Sequence, residues 1–494
     1  MLKTQQKEEK ESSRVETRSR KANREIHMAE AFFVIVFAVV IIYFAWFLTV
    51  QSDETINSAY NMRIDVFSST VVRGSILTRD GEILAETLED EDGTEYRYYP
   101  YGEVFAHVVG YSDAGTTGIE DYANDILLDA DISIIEQIQN DISGEKAIGN
   151  TVVTTLDADL QQLAYDLLGD YNGACVIMNP KTGEIYAMVS TPSFDPNTIA
   201  EDWEELIADE DGDAALLNRA TQGLYPPGST FKLLTALEFI REYPTEWESY
   251  THECTGTTVY GDSTMSCYEG TAHGLLDLRL SLANSCNTSF AVIGQMLDGD
   301  SFLALCESML FNSELPLSDG LEYYESSFVL NSESSLADYV QTAIGQGETL
   351  ITPIHNALIV CAIANDGVLM TPYLIDSIVS DDGTVIEQYE PQEYAVLMTE
   401  EEAETLTNFM VAVVNEGTSP ALQSDDYQVA GKTGSAEYSS DSDESHAWFV
   451  GFADAEDPEI VISIVFEEGG LGGVTAVAAA KEIFEAYFSE DTDS

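Results

Sequence analysis

The chain has 494 residues, 45% of them hydrophobic, and a formal net charge of −68. That length suits roughly two to three domains with a sizeable core. A surface this acidic repels phosphate backbones and excludes nucleic acid as a partner; it reads as a solubilising coat or an adaptation to a cation-rich medium.

Residues 1–30 are polar, with eight basic and six acidic side chains, and read as a disordered cytoplasmic tail. Residues 31–50, AFFVIVFAVVIIYFAWFLTV, carry no charge. Twenty apolar residues in a helix match a bilayer's hydrocarbon core. The Lys/Arg-rich stretch before them, against only Arg63 and Arg73 just after, predicts a single-pass anchor with its N-terminus inside the cell and the remainder outside. The run exceeds a signal-peptide core, and no clear A-x-A site follows it.

Residues 51–150 read as a small mixed pedestal. Short β-like runs (64–66, 70–72, 96–99) are broken by Asp80-Gly81 and Asp92-Gly93 turns. A larger domain is expected from Thr151 to Phe488, followed by an acidic tail over 489–494. Ala158–Leu168 has helical spacing with Asp157 as N-cap. Ala174–Met178 and Glu184–Val189 flank Asn179-Pro180-Lys181-Thr182-Gly183, the pattern of a β-hairpin. Helix-like stretches fill much of 229–415. Strands return at 428–431, 447–452 and 460–466, and a last helix is expected over 475–488. Two early strands meeting three late ones, with helices between, imply an antiparallel sheet and an α+β fold. The acidic stretches 201–213, 380–390 and 439–444 read as solvated loops.

The six cysteines, Cys175, Cys254, Cys267, Cys286, Cys306 and Cys361, all fall on the expected outer side. Cys254 and Cys267 flank a polar loop and could close a small disulfide. Cys175 and Cys361 lie in apolar runs and read as buried thiols. No C-x-x-C or Cys/His cluster suggests a metal, and no cofactor motif is found.

Three strings carry chemistry. In Ser229-Thr230-Phe231-Lys232, prolines and a glycine mark a helix entrance, and Lys232 falls on the same helix face as Ser229. A serine hydroxyl needs an adjacent base, and a lysine amine serves when desolvation lowers its pKa. Ser285-Cys286-Asn287 is a polar break between helices. There Ser285 can relay a proton and Asn287 can bond a substrate amide. Lys432-Thr433-Gly434-Ser435 lies in a strand-like run able to pair with an extended peptide. Lys432 offers charge to a carboxylate, and Gly434 permits close approach. Alone, each string reads as an ordinary cap or strand end. A second K-T-G, Lys181-Thr182-Gly183, reads as a hairpin turn. Only five lysines lie beyond residue 50 (Lys146, Lys181, Lys232, Lys432, Lys481), and two of them stand in these strings. No G-x-S-x-G elbow is present, and none of the outer histidines has motif support.

The order S-x-x-K, S-x-N, K-T-G resembles that of penicillin-binding proteins, and the chain as a whole resembles a class B member. Arg73-Gly74-Ser75-Ile76, Arg79-Asp80-Gly81 and Leu84-Ala85 are similar to the family's pedestal segment, with Thr78 in place of the usual acid. Gly345-Gln346-Gly347-Glu348 with Thr352-Pro353 resembles another hallmark. The short pedestal and the lack of C-terminal repeats most resemble the PbpA-type branch. The resemblance implies a penicillin-binding/β-lactamase-like transpeptidase fold with a helical subdomain. It also implies a cofactor-free serine D,D-transpeptidase acting on peptidoglycan stem peptides and trapped by β-lactams, with a polytopic glycosyltransferase as an expected partner. Ser229, Lys232 and Ser285 would be catalytic. Asn287, Lys432, Thr433, Gly434 and Ser435 would bind substrate, and backbone N–H groups of Ser229 and Ser435 would form the oxyanion hole. A D,D-carboxypeptidase or β-lactamase-type hydrolase, and a penicillin-binding scaffold or sensor of low activity, are the alternatives.

Overall fold

The computed structural model describes residues 32–43, 46, 71–130, 142–143, 146–209, 212–261, 263–317, 321–437 and 445–490. The expected tail over 1–30, part of the apolar run 31–50, the run 64–66, the acidic stretch 439–444 and residues 491–494 lie outside them. Residues 32–43 are helical, with Phe32, Phe33, Ile35, Phe37 and Ile41 exposed. Among the described residues no helix is long and apolar enough to cross a membrane.

Residues 66–494 form one compact unit. Its core is a five-stranded antiparallel sheet. Two strands, β1 (Gly173–Met178) and β2 (Ile185–Thr191), come early; three, β3 (Val429–Glu437), β4 (Ser445–Ala453) and β5 (Ile460–Phe466), come late. The spatial order is β3-β4-β5-β1-β2. Runs such as IVISIVF in β5 are buried along their whole length because helices cover both faces. On one side lie α1 (Ala158–Leu168) and α5 (Thr475–Glu490). On the other lies α4 (Pro353–Ala364), whose twelve residues are all buried. A helix apolar all round belongs inside a core. Asp157 caps α1, accepting from Leu160 N–H at 3.0 Å. Lys181-Thr182-Gly183 is the β1–β2 turn, closed by Gly183 N–H to the Asn179 carbonyl.

A second, six-stranded sheet is ordered 385–388, 375–379, 151–154, 76–77, 83–89, 95–98. It draws strands from both sides of residue 150. Beneath it, Arg73 and Arg97 converge on the fully buried Glu120 at 2.6 and 2.7 Å. Thr78, where the family resemblance expects an acid, is buried and caps the Arg79-Asp80-Gly81 turn by accepting from Glu82 N–H at 3.0 Å.

Two acidic stretches are not loops. Residues 199–208 are a helix whose Ile199, Trp203 and Leu206 pack with Tyr111 and Phe194. The apolar spacing is helical, but acidic side chains fill the positions between. Within 380–390, a turn at 381–383 leads into the exposed strand Val385–Gln388, paired with 375–379. Between 252 and 276, where the sequence reads as a polar loop between Cys254 and Cys267, the chain forms four short strands, His252–Cys254, Thr257–Tyr260, Ser263–Ser266 and Gly274–Leu276, in two-stranded pairs.

Candidate active site

Pro226 and Pro227 deliver the chain into a 3-10 turn, Gly228–Phe231, which continues as α2 (Lys232–Glu242). Ser229 sits in that turn, half-buried. The turn is pinned from two sides. Trp448 Nε1 of β4 donates to the Pro226 carbonyl at 3.1 Å, and Gly228 N–H donates to the Gly345 carbonyl at 2.9 Å. Gly345 has φ +76°, and a Cβ there would stand 1.8 Å from the Gly228 carbonyl oxygen. Only glycine meets both demands, which gives the Gly345-Gln346-Gly347-Glu348 segment a physical reason.

Lys232 begins α2 with no exposed surface. Its Nζ lies 2.8 Å from the Ser285 carbonyl, 2.7 Å from Asn287 Oδ1 and 3.3 Å from Ser285 Oγ. Ser285 adopts the left-handed conformation at φ +51° in the break between a helix over Leu278–Ala283 and α3 (Asn287–Gly294). Asn287 also donates to the Ser266 carbonyl at 3.1 Å. Lys432, in β3, is equally buried. Its Nζ reaches Ser285 Oγ at 3.1 Å and the Thr433 carbonyl at 2.9 Å. The Ser285 hydroxyl therefore bridges the two amines.

The rest of the third string lines the same crevice. β3 is the edge strand of the sheet. A Cβ on Gly434 would meet Pro227 O at 3.0 Å and Trp448 Cβ at 3.0 Å, so the serine turn and β3 touch because that side chain is absent. Thr433 Oγ1 pairs with Thr418 Oγ1 at 3.0 Å, and Ser435 Oγ accepts from Gly472 N–H at 3.2 Å. The structure thus brings Lys232, Ser285, Asn287 and Lys432 into one hydrogen-bonded group, with Ser229 on the adjoining turn. Lys232 directs its contacts to Ser285 and Asn287, not to Ser229.

Burial disfavours charge on both lysines. It holds the Lys232 amine down at about 7, against a smaller opposing pull from the Cys286 and Cys267 thiols. Lys432 is also pushed well below the ordinary lysine value, by burial first and then by Lys232. A neutral amine at Lys232 suits its partners. A neutral amine keeps two N–H groups for its two shortest contacts, the Ser285 and Asn287 carbonyls.

All six cysteines are buried free thiols. Cys254 and Cys267, expected as a disulfide pair, have sulfurs 3.7 Å apart, neighbouring but unbonded. The expectation of no Cys/His cluster is corrected. Cys254, Cys267, His273 and Cys286 place one donor atom each within 4.8 Å of one another. No contiguous string holds all four, and the fold of this stretch assembles them.

Residues 173–488 match the penicillin binding protein transpeptidase domain, and residues 73–152 the penicillin binding protein A dimerisation domain. The chain is 30% identical over 457 residues to peptidoglycan D,D-transpeptidase PbpA of Mycolicibacterium smegmatis, covering 87% of this chain and 92% of that one. It resembles a crystal structure of a D,D-transpeptidase domain from Eggerthella lenta, with a TM-score of 0.75, 34% identity, and coverage of 85% and 98%. It also resembles a ceftriaxone acyl-enzyme complex of penicillin-binding protein A from M. tuberculosis, with a TM-score of 0.77, 28% identity, and coverage of 86% and 99%. A serine turn, two buried lysines and an edge strand, on a fold and sequence shared over this length, place the chain in the penicillin-binding protein transpeptidase family.

Proposed function

We propose that the chain is a serine D,D-transpeptidase that cross-links peptidoglycan stem peptides through an acyl-enzyme and is trapped by β-lactams at the same serine. The observation that carries this reading is the bridge Lys232–Ser285–Lys432 beside the Ser229 turn. Ser229 Oγ attacks the penultimate D-alanine carbonyl, forming the ester as the C–N bond to terminal D-alanine breaks. Neutral Lys232 takes the hydroxyl proton. This requires its amine to turn from Ser285 to Ser229 as substrate seats, a tightening common when catalytic hydrogen bonds form. Ser285, in contact with both amines, passes a proton to the departing D-alanine nitrogen. An amine from a second strand then takes the acyl group, and Ser229 regains its proton.

The peptide lies along the free edge of β3, where Gly434 leaves room for it. Its terminal carboxylate meets Lys432, Thr433 and Ser435, and that negative charge favours a proton on Lys432. Asn287 orients both Lys232 and the substrate amide. Backbone N–H groups of Ser229 and Ser435 serve the oxyanion; the close packing of Gly228 on the Ser435 carbonyl supports their adjacency. The apolar run 31–50 supports a single membrane anchor with an extracellular catalytic domain. The boundaries 51–150 and 151–488 for pedestal and transpeptidase, and a polytopic glycosyltransferase as partner, belong to the same reading.

Fluorescent penicillin should label the full chain covalently and leave Ser229→Ala unlabelled. Labelling of the alanine variant would remove Ser229 from the mechanism. With a stem-peptide donor and an amine acceptor, cross-linked dimer is expected; release of D-alanine without dimer would assign the chain to the hydrolases instead.

A further inference from the structure

Four short strands between residues 252 and 276 form two-stranded pairs only, and such pairs are marginal on their own. Part of their support is packing on α3, where Tyr260 and Met265 meet Ala291. Cys254 ends the first strand, Cys267 follows the third, His273 precedes the fourth, and Cys286 is the N-cap of α3. Their donor atoms converge. Cys254 Sγ lies 3.7 Å from Cys267 Sγ and 3.3 Å from His273 Nδ1, and Cys267 Sγ lies 3.8 Å from Cys286 Sγ.

We propose that Cys254, Cys267, His273 and Cys286 bind one Zn²⁺ ion as a closed structural site that fixes the turn bearing Ser285 and Asn287. Zinc–sulfur bonds of ~2.3 Å at tetrahedral angles set sulfurs ~3.8 Å apart, and a zinc–nitrogen bond of ~2.0 Å sets sulfur and nitrogen ~3.5 Å apart. The sulfur–sulfur separations of 3.7 and 3.8 Å and the sulfur–nitrogen separation of 3.3 Å agree with both to about 0.2 Å. Three thiolates and one imidazole are a zinc donor set. Donors this close enclose a single ion and leave no room for bridging sulfides. Each thiol gives up its proton to solvent as its bond to the metal forms.

The surroundings fit a metal site. Cys254 Sγ accepts from Gly256 N–H at 3.4 Å and from the Thr288 hydroxyl at 3.2 Å, the outer contacts that ligating sulfurs receive. A disulfide accounts for less. Joining any two sulfurs leaves the third and His273 without purpose. The remaining cysteines, Cys175, Cys306 and Cys361, are buried elsewhere and take no part in the cluster.

With four protein ligands the ion has no open position, so it positions residues and does not polarise substrate. Cys286 stands between Ser285, held at φ +51°, and Asn287, which holds Lys232. A non-glycine residue in that conformation needs support from its surroundings. The Cys286–zinc bond supplies it.

The test uses the full-length protein purified in detergent without chelator. Elemental analysis should find about one zinc per chain. Cobalt exchange should give thiolate-to-cobalt charge-transfer absorption and intense tetrahedral visible bands. His273→Ala should lose the metal, whereas a triple serine variant at Cys175, Cys306 and Cys361 should keep it. Chelation should slow fluorescent penicillin labelling at least about tenfold, and added zinc should restore it. The wild-type metal content decides even if a variant fails to fold. Absence of stoichiometric metal, an octahedral cobalt spectrum, or an intact mass showing a Cys254–Cys267 disulfide would each overturn the proposal. Loss of labelling in Ser229→Ala with zinc retained separates this site from the acyl-transfer reading.

Discussion

Changing pH is the most direct perturbation of Lys232. Burial holds its amine at about 7, against about 10.4 for a solvated lysine. Only the neutral amine can accept the Ser229 proton. Near pH 6 about a tenth of the molecules carry it, and near pH 8 about nine tenths do. Acylation should therefore rise roughly tenfold between those values, with a midpoint near 7. A solvated lysine would give a hundredfold rise over the same interval and no plateau. The assay is the second-order rate of fluorescent penicillin labelling, measured at constant ionic strength on the full chain. The same shift has a stability sign. The folded state keeps Lys232 neutral while the unfolded chain protonates it, so the unfolded state binds the extra proton between pH about 7 and about 10. Stability from this group then rises with pH across that window by about 1.4 kcal/mol per unit. Lys232→Met should remove that slope in denaturant titrations and abolish labelling. A rate that is flat from about pH 6 to 9, or still climbing tenfold per unit above about pH 8, would refute a lysine base tuned by burial.

Gly345→Ala places a methyl group 1.8 Å from the Gly228 carbonyl at a φ of +76°. The loss should be about 3 kcal/mol or more, read by thermal melting, with labelling reduced at least about tenfold because the Ser229 turn shifts. Asn287→Ala strips Lys232 of its 2.7 Å acceptor and the 252–276 region of its tie to Ser266; labelling should slow about tenfold or more, with the fold retained by circular dichroism. Glu120→Gln leaves Arg73 and Arg97 facing a neutral group, at a cost of about 3–5 kcal/mol, with an unchanged labelling rate per folded molecule. In the wild type, burial pushes the Glu120 carboxyl up, but Arg97 and Arg73 outweigh it and hold it below the ordinary value. That contribution is present above the unfolded pKa and lost as pH falls through the lower folded one. Acid unfolding followed by fluorescence should show this step in the wild type and not in the variant.

What the sequence made legible was local. The Ala158–Leu168 helix has its cap and spacing within one window, and the strand Ile460–Phe466 is an uninterrupted apolar run. The three motifs are contiguous strings whose roles depend on residue type. What it hid was either masked or distributed. The 199–208 helix keeps helical spacing at Ile199, Trp203 and Leu206, but the acids of 201–213 overlap it and suggest a loop. The contact of Gly345 with Gly228 joins residues far apart in the chain. Cys254, Cys267, His273 and Cys286 are drawn together by two strand pairings and a helix cap, none visible as a compact motif.

The acidity itself helped, for a reason the structure makes physical. Of the five lysines beyond residue 50, Lys146, Lys181 and Lys481 are partly exposed and pair with Glu95, Asp457 and Glu485. Lys232 and Lys432 are fully buried, and their hydrogen bonds run to hydroxyl and carbonyl oxygens, not to carboxylates. In a chain with 88 acidic residues, a carboxylate beside either amine would have been easy to place. It would have favoured the ammonium form of Lys232 and removed the base. It would also have occupied the seat that Lys432 keeps for a substrate's carboxylate. Keeping acids away from both amines is therefore a requirement of the chemistry, and introducing one, as in Thr433→Asp, should raise the midpoint of the labelling profile while weakening capture of penicillin.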